Sequence, residues 1–273
     1  MKYFRTLCVL IAAALATGCS GIVHQMPEAN ELEEARALAE INAYPLPINK
    51  QAISATDAEA MLYRVYERLA PEGRSVCEYV GEQDKCWWDV EYSDDSSLNA
   101  YANQDNHIVV HHGVMMYAES EDELAMVLAH EMGHHIAEHI SESKTRAMIG
   151  GVAAGLLMAV AAANSAPCYN YACQQNQQQA IRNVVAGGAA IGSLTYSVAQ
   201  EKEADFLSAY ILNRAGYDLL ESRNILVKMG AMSDDKETSL MDTHPAGPDR
   251  LATYDRVIGE VIADADGFPN KKM

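Results

Sequence analysis

The segment His130-Glu131-Met132-Gly133-His134 decides how this sequence folds and which chemistry it can carry. Residues four positions apart share one face of an α-helix, so a helix here places the two imidazoles side by side. Neutral imidazoles are typical zinc ligands, and a site with three protein ligands leaves one position open. The carboxylate of Glu131 would lie beside that position, where it can act as a general base. The motif therefore predicts a helix with two zinc ligands and a catalytic glutamate.

The residues before the motif indicate that this helix exists. Ser120, with Glu123 three residues later, has the pattern of a capping box, and the apolar run Leu124–Ala129 follows. We therefore predict a helix over residues 121–139 that contains the whole motif.

The third ligand must come from elsewhere in the chain. A histidine six residues after His134 would complete a three-histidine site, but that position is Ile140. Glu201-Lys-Glu203-Ala-Asp205 is a better candidate, because Glu201 and Asp205 share one face of a predicted helix. Glu201 could complete a site for one Zn²⁺ per chain, and Asp205 could accept a hydrogen bond from the outer nitrogen of a ligand histidine. Glu203 points to another side and is expected in solvent.

Two histidines that follow the motif receive no metal role. On a regular helix His135 lies about 100° from His134, and His139 lies about 180° from His130. Both would face away from the metal.

The rest of the sequence predicts a mainly helical α+β fold, with a small antiparallel sheet beside the motif helix. Residues 87–92 and 107–111 have the pattern of strands, and residues 73–86 that of a polar loop. Besides 121–139, the predicted helices cover residues 28–41, 56–69, 200–215, 217–229 and 248–263.

Two runs of small apolar residues, 148–163 and 184–198, flank a polar Gln-rich stretch. Each run is shorter than the roughly 20 residues that a membrane span needs. We therefore favour two closely packed helices with small residues at their contact. A membrane hairpin over residues 147–199 is the alternative interpretation.

The charge of the chain argues against nucleic-acid binding. There are 38 acidic and 20 basic residues, and the net charge is -18. Phosphate contacts require clustered Lys and Arg, which such a chain does not offer.

The N-terminus has the features of a bacterial lipoprotein signal. Lys2 and Arg5 precede a short apolar run, and residues 16–18 are small and followed by Cys19. We predict a signal peptide over residues 1–18, lipidation of Cys19, and a location on the periplasmic side of the outer membrane, which Ser20 favours over the inner membrane. An ordinary cleaved signal peptide is the alternative. Residues 19–55 would form a linker with a short helix, residues 56–265 the main domain, and residues 266–273 a C-terminal tail.

The remaining cysteines form two close pairs, which suits an oxidising compartment. We predict disulfides Cys77–Cys86 and Cys168–Cys173 from proximity, although four cysteines allow three pairings. A structural zinc site made of all four cysteines is the alternative, but it lacks the usual CxxC spacing.

Three motifs together resemble one known protease family. HEMGHH at 130–135, EKEAD at 201–205 and THPAGPDR at 243–250 are similar to the HtpX/BepA/LoiP-type gluzincin proteases, peptidase family forty-eight. The resemblance covers roughly residues 56–263. It implies zinc ligands His130, His134 and Glu201, with Glu131 as the catalytic residue.

The resemblance also implies where a substrate and a further histidine would lie. Asn99-Ala100-Tyr101 looks like the stretch that leads to the substrate-binding edge strand of the family, with the turn 103–106 departing from the usual Gly-rich sequence. His244 matches the histidine of the family's His-Pro motif, which lies near the metal. It would either donate to the oxyanion of the reaction or bind the zinc and hold the enzyme shut.

The expected activity is hydrolysis of internal peptide bonds in misfolded or misassembled envelope proteins. One alternative is an assembly factor or chaperone for outer-membrane proteins with a latent zinc site. Another is an integral membrane protease. The oligomeric state is not predicted.

Overall fold

The computed structural model describes residues 24–48, 50–81, 85–143, 196–233, 244–264 and 267–270, with the single positions 145, 148, 179 and 182. The chain divides into two compact units. One comprises residues 22–140 and 196–273, and it contains the elements below. The other comprises residues 1–21 and 141–195. The predicted signal peptide, Cys19 and nearly all of the two apolar runs lie outside the described residues.

The main unit is mostly helical, as predicted. Its helices are α1 Glu31–Ala43, α2 Ala55–Val80, α3 His112–Tyr117, α4 Glu121–Ile136, α5 Val198–Arg214, α6 Leu219–Ser222, α7 Asn224–Ala231 and α8 Pro248–Ala263. Its strands are β1 Asp89–Ser93, β2 Ala100–Ala102 and β3 His107–His111. The predicted α+β class is confirmed.

The sheet is mixed, so the prediction of an antiparallel sheet was wrong in this respect. The strand order is β1-β3-β2, with β1 parallel and β2 antiparallel to β3. The two strands predicted from the sequence are the parallel pair. The short β2 was not predicted as a strand, and it lies at the edge of the sheet near α4.

The turn between β2 and β3 needs no glycine. Asp105 and Asn106 adopt φ values of 62° and 57°, in the left-handed region. Asp and Asn tolerate this region better than other residues with a side chain. The departure from a Gly-rich turn therefore leaves the β2–β3 pair intact.

Helix α2 continues through the region predicted as a polar loop. It runs past Pro71 to Val80 and ends at Gly81, whose φ of 108° is typical of a helix end. Val76 and Val80 extend the buried face that Leu62 and Leu69 begin. Burial of this continuous apolar face outweighs the hydrogen bond that Pro71 removes.

The start of α4 is only partly as predicted. The Ser120 side chain accepts a hydrogen bond from the Glu123 N–H at 3.2 Å, as a capping residue does. The Glu123 carboxylate, however, accepts from the Glu119 N–H at 2.8 Å and pairs with buried Lys228 at 2.8 Å. The capping box is therefore formed on one side only, and Glu123 links α4 to α7.

Helix α5 begins at its own cap. Ser197 is extended and forms a reciprocal capping box with Gln200. Helix α5 packs closely against α4, α8 and α2.

Helix α1 packs on the main unit through Ala37 and Ile41, which are buried against α8 and α7. The side chain of Glu40 forms two hydrogen bonds with Arg223, at 2.7 and 2.9 Å. Residues 19–55, predicted as a linker with a short helix, thus contain such a helix, and it is docked on the domain. The boundary at residue 56 stays a prediction.

One disulfide joins Cys77 at the end of α2 to Cys86, which is the predicted pairing. Cys168 and Cys173 lie outside the described residues. Within the part of the chain that the structure describes, no helix is long and apolar enough to cross a membrane.

Candidate metal centre

Helices α4 and α5 bring the predicted zinc ligands together in the interior. His130 and His134 are buried on α4, with their Nε2 atoms 3.0 Å apart. Glu201 is buried on α5, and its carboxylate oxygens lie 3.3 Å from His130 Nε2 and 3.4 Å from His134 Nε2. The spacing of four residues on α4 and the single carboxylate from α5 therefore converge on one point.

His244 lies in the same cluster. Its Nδ1 is 3.1 Å from Glu201 Oε1 and 3.3 Å from His130 Nε2. Ligand atoms of His130, His134, Glu201 and His244 all lie within 4.8 Å of one another. His244 was expected near the metal in either of two roles, and its ring lies among the atoms that could hold a metal ion.

The donor set and its spacing fit a zinc ion. Ligand atoms at about 2.0–2.1 Å from a tetrahedral ion are separated from each other by about 3.3–3.4 Å. Five of the six pairs of donor groups are 3.0 to 3.4 Å apart, close to this value, and all four groups lie within 4.8 Å of one another. Three imidazoles and one carboxylate are also ligands that zinc prefers.

Asp205 orients His130 through the ring nitrogen that faces away from the metal site. Its Oδ1 lies 2.8 Å from His130 Nδ1, which leaves Nε2 for the metal. Arg250 of α8 donates to both oxygens of Asp205, and its Nη1 lies 2.7 Å from Glu201 Oε2. One buried guanidinium thus links the carboxylate ligand to the carboxylate that orients His130. A planar fork suits this double contact, whereas a lysine ammonium does not.

These charges shift the pKa values of the site. Burial acts to raise the pKa of Glu201, but His244, Arg250 and His130 outweigh it and hold that pKa well below its usual value. Burial also opposes ionisation of Asp205, and Arg250 with His130 lowers its pKa nevertheless. Burial lowers the pKa of His134 well below its usual value, which favours the neutral imidazole that a metal requires.

The Glu131 carboxylate faces the same cluster. It is buried, and neither oxygen has a hydrogen-bond partner among the described residues. Its Oε1 lies 3.5 Å from His244 Nε2. A buried carboxylate without hydrogen bonds is costly, and such groups are typical of functional sites.

A small apolar cavity lies beside Glu131 and His130. It is lined by residues of α4 and α7, namely Met126, Val127, Ile225, Leu226 and Met229. All five of these side chains are buried, so the space between them is small.

Three residues that the sequence did not assign surround His134. The ring of Tyr196 stacks on it, with the ring centroids 3.8 Å apart. His139 Nδ1 lies 2.9 Å from His134 Nδ1, and His139 Nε2 lies 3.0 Å from Glu203 Oε2. Glu203 is fully buried, so its predicted exposure to solvent was wrong. The expectation that His139 faces away from the site was also wrong.

The predicted substrate-binding residues lie at the start of the edge strand. Ala100 is buried, whereas Tyr101 is 38% exposed. Asn99 precedes β2 and accepts a hydrogen bond from the His111 N–H at 3.0 Å. The Asn103 carbonyl at the other end lies 2.7 Å from His135 Nε2, so β2 is tied to the motif helix.

An α+β domain whose central helix presents two histidines, beside a glutamate from a second helix, has the architecture of a zincin-like metallopeptidase. The chain belongs to peptidase family M48, whose family profile matches residues 58–258.

Curated relatives match the same part of the chain. The putative beta-barrel assembly-enhancing protease of Vibrio cholerae is 30% identical over 165 residues, covering 58% of this chain and 32% of the relative. The beta-barrel assembly-enhancing protease of Yersinia pestis is 28% identical over 159 residues, covering 57% and 31%. The mitochondrial metalloendopeptidase OMA1 of Arabidopsis thaliana is 27% identical over 163 residues, covering 60% and 30%. The chain thus matches about a third of the length of these relatives.

Proposed function

We propose that this chain is a zinc-dependent endopeptidase that cleaves misfolded or misassembled proteins of the bacterial cell envelope. The observation that carries the proposal is the buried cluster of His130, His134 and Glu201, beside which the Glu131 carboxylate makes no hydrogen bond to a described residue. A zinc ion held by this cluster supplies Lewis-acid chemistry, since it polarises a carbonyl group and makes water acidic enough to attack near neutral pH.

The protein's own residues have separate tasks in this reaction. Glu131 takes a proton from the attacking water at Oε1 or Oε2 and delivers it to the leaving amine. Asp205 and Arg250 fix the orientation of His130 and Glu201. The small apolar cavity between α4 and α7 would have to widen to receive a substrate side chain.

The edge strand β2 would bind the substrate backbone by strand addition. The His111 N–H donates to the Asn99 carbonyl, and the Asn103 N–H donates to the His107 carbonyl. Because bonded and non-bonded pairs alternate in an antiparallel ladder, Tyr101 bonds toward β3, and the N–H and C=O of Ala102 point to the open edge. Ala102 is therefore the proposed contact for substrate backbone.

The position of His244 supports a latent state. With Nδ1 among the ligand atoms, His244 would fill the coordination position that a catalytic site keeps open. The same observation favours a second candidate function, an assembly factor or chaperone for outer-membrane proteins in which zinc is structural and latent. In that case activity in the cell would not depend on Glu131.

The lipid anchor remains a proposal drawn from the sequence. Diacylglycerol attached to Cys19 would hold the protein at the periplasmic face of the outer membrane. A Cys19→Ala protein should then be released by a high-salt or carbonate wash. If it stays in the membrane, the integral membrane alternative gains support.

The test of the proposed function uses purified residues 20–273. We expect one zinc per chain in the wild type, loss of zinc in Glu201→Gln, and loss of casein cleavage with retained zinc in Glu131→Gln. A folded wild type without metal would refute the proposal. Zinc without cleavage would indicate latency, and His244→Ala should then release activity. If His244→Ala instead lowers the cleavage of an active enzyme with its zinc retained, His244 acts as the oxyanion donor.

A further inference from the structure

Among the described residues, no carboxylate directly contacts the outer nitrogen of the second ligand histidine, His134. For His130 this partner is Asp205, at 2.8 Å. Behind His134 the corresponding position is held by a histidine, since His139 Nδ1 lies 2.9 Å from His134 Nδ1. The carboxylate comes one step later, because His139 Nε2 lies 3.0 Å from Glu203 Oε2.

This series of hydrogen bonds, from His134 through His139 to Glu203, has one consistent assignment of protons. If His134 binds the metal through Nε2, its Nδ1 carries a hydrogen and donates it to His139 Nδ1. His139 must then carry its own hydrogen on Nε2 and donate it to Glu203. The Glu203 carboxylate is then the acceptor at the end of this series of hydrogen bonds.

The other oxygen of Glu203 is held by the N-terminal segment. Glu203 Oε1 accepts from the backbone N–H of His24 at 2.9 Å and lies 2.8 Å from His24 Nδ1. His24 is itself buried. It lies outside the range matched by the family profile, which begins at residue 58. Residues upstream of the family domain therefore help to hold the carboxylate in place.

We propose that Glu203 and His139 are positioning residues for His134 and fix the tautomer with which His134 binds the metal. In this arrangement His24 orients Glu203 through its contacts with Oε1. The inference rests on the proposed metal site. Outer partners of this kind orient a ligand imidazole and raise its basicity, and their loss typically lowers metal affinity by about 10–100-fold.

The test compares zinc affinities by competition with a chelator in the protein of residues 20–273. Glu203→Gln keeps the shape but removes the charge, and we expect an affinity about 10–100-fold weaker than that of the wild type. Glu123→Gln is the matched control, because it removes the charge of another buried carboxylate, which lies two helical turns before His130 and pairs with Lys228. It should lower stability and leave zinc affinity unchanged.

A second variant, His139→Phe, tests the same contacts if Glu203→Gln does not fold. His139→Phe removes the relay, that is, the hydrogen-bonded link from His134 through His139 to Glu203, and fills the same space. The double variant should bind zinc no more weakly than the weaker-binding single variant, because both changes act through His134. The ring N–H signal of His134 in the NMR spectrum of the zinc protein should shift in both single variants, while that of His130 stays.

The outcomes separate this inference from the proposed function. A wild type that binds no zinc would refute the metal site itself. A wild type that binds zinc, with unchanged affinity and an unchanged His134 signal in both folded single variants, would overturn the relay and leave the metal site standing. Additive losses in the double variant would also overturn it.

Discussion

Gly133 lies directly against the backbone of Ala204, where α4 crosses α5. A Cβ atom at position 133 would stand 2.7 Å from the Ala204 carbonyl oxygen and 3.0 Å from its Cα. Both obstacles are backbone atoms, which cannot swing aside as a flexible side chain can. The glycine inside the motif therefore sets the helix separation that allows Glu201 to reach the two histidines.

Gly133→Ala should consequently separate the helices and damage the metal site. We expect the free energy of unfolding to fall by about 1–3 kcal/mol, as is typical of overpacking, and zinc affinity to fall as well. Gly259→Ala is the control, because its added methyl group meets nothing within 4 Å. That exchange should leave zinc affinity unchanged and stabilise the protein slightly. Urea unfolding of the metal-free proteins and chelator competition measure the two effects, and a Gly133→Ala protein as stable as the wild type would contradict the close contact.

The sequence was sufficient to predict the motif helix and the close approach of His130, His134 and Glu201. The four-residue spacing of His130 and His134 specifies a shared face, and the chemistry of zinc demands a third ligand, for which Glu201 was the best candidate. The α+β class followed from element patterns. The parallel pairing of β1 with β3 did not, because strand direction depends on the path of the intervening chain.

The relay behind His134 could not be predicted from helical geometry. The prediction that His139 faces away from the metal assumed a regular helix up to residue 139. Helix α4 ends at Ile136, however, and Glu138 has a left-handed φ of 58°. The chain therefore turns and returns His139 to the site. Glu203 was expected in solvent because helices usually have one exposed face, yet α5 is surrounded by α4, α8 and α2. A helix buried on several sides can hold a buried carboxylate on each of them when partners are present.

Arg250 should be irreplaceable by lysine. Its guanidinium contacts Asp205 and Glu201 at once, and a lysine ammonium cannot reproduce this planar fork. We expect Arg250→Lys to weaken zinc affinity by about 10–100-fold while the protein stays folded. Arg223→Lys is the matched control, because Arg223 also bridges two carboxylates, Glu40 and Asp255, but does so on the surface. Equal zinc affinities in the two variants would show that the fork is not needed at the metal centre.

The attachment of α1 should depend on pH. Hydrogen bonding to Arg223 lowers the pKa of Glu40 below its ordinary value. The stability that Glu40 contributes is therefore complete above its unfolded pKa of about 4.3 and is lost as the pH falls through the lower folded pKa. Because the pair is partly exposed to solvent, we expect Glu40→Gln to cost only about 0.2–1 kcal/mol at neutral pH and less in acid.

Urea unfolding of the wild type and Glu40→Gln, at neutral pH and at about pH 3, measures this difference. Glu67→Gln, an exposed carboxylate on α2, serves as the control and should show a smaller effect at neutral pH. A Glu40→Gln deficit that is equal at both pH values would show that the ion pair with Arg223 is not its source.

Proline at position 102 should impair substrate binding without harming the metal site. Proline removes only the N–H of Ala102, which points away from β3, and proline is tolerated on edge strands in that orientation. If a substrate backbone bonds to this N–H, its loss costs about 0.5–1.5 kcal/mol, which lowers kcat/KM for casein by about 2–12-fold. Ala102→Ser keeps the N–H and is the control. The measurement uses whichever of the wild type and His244→Ala cleaves casein, with zinc content determined in parallel. Full activity of Ala102→Pro at unchanged zinc content would mean that the substrate does not pair with β2 at this position.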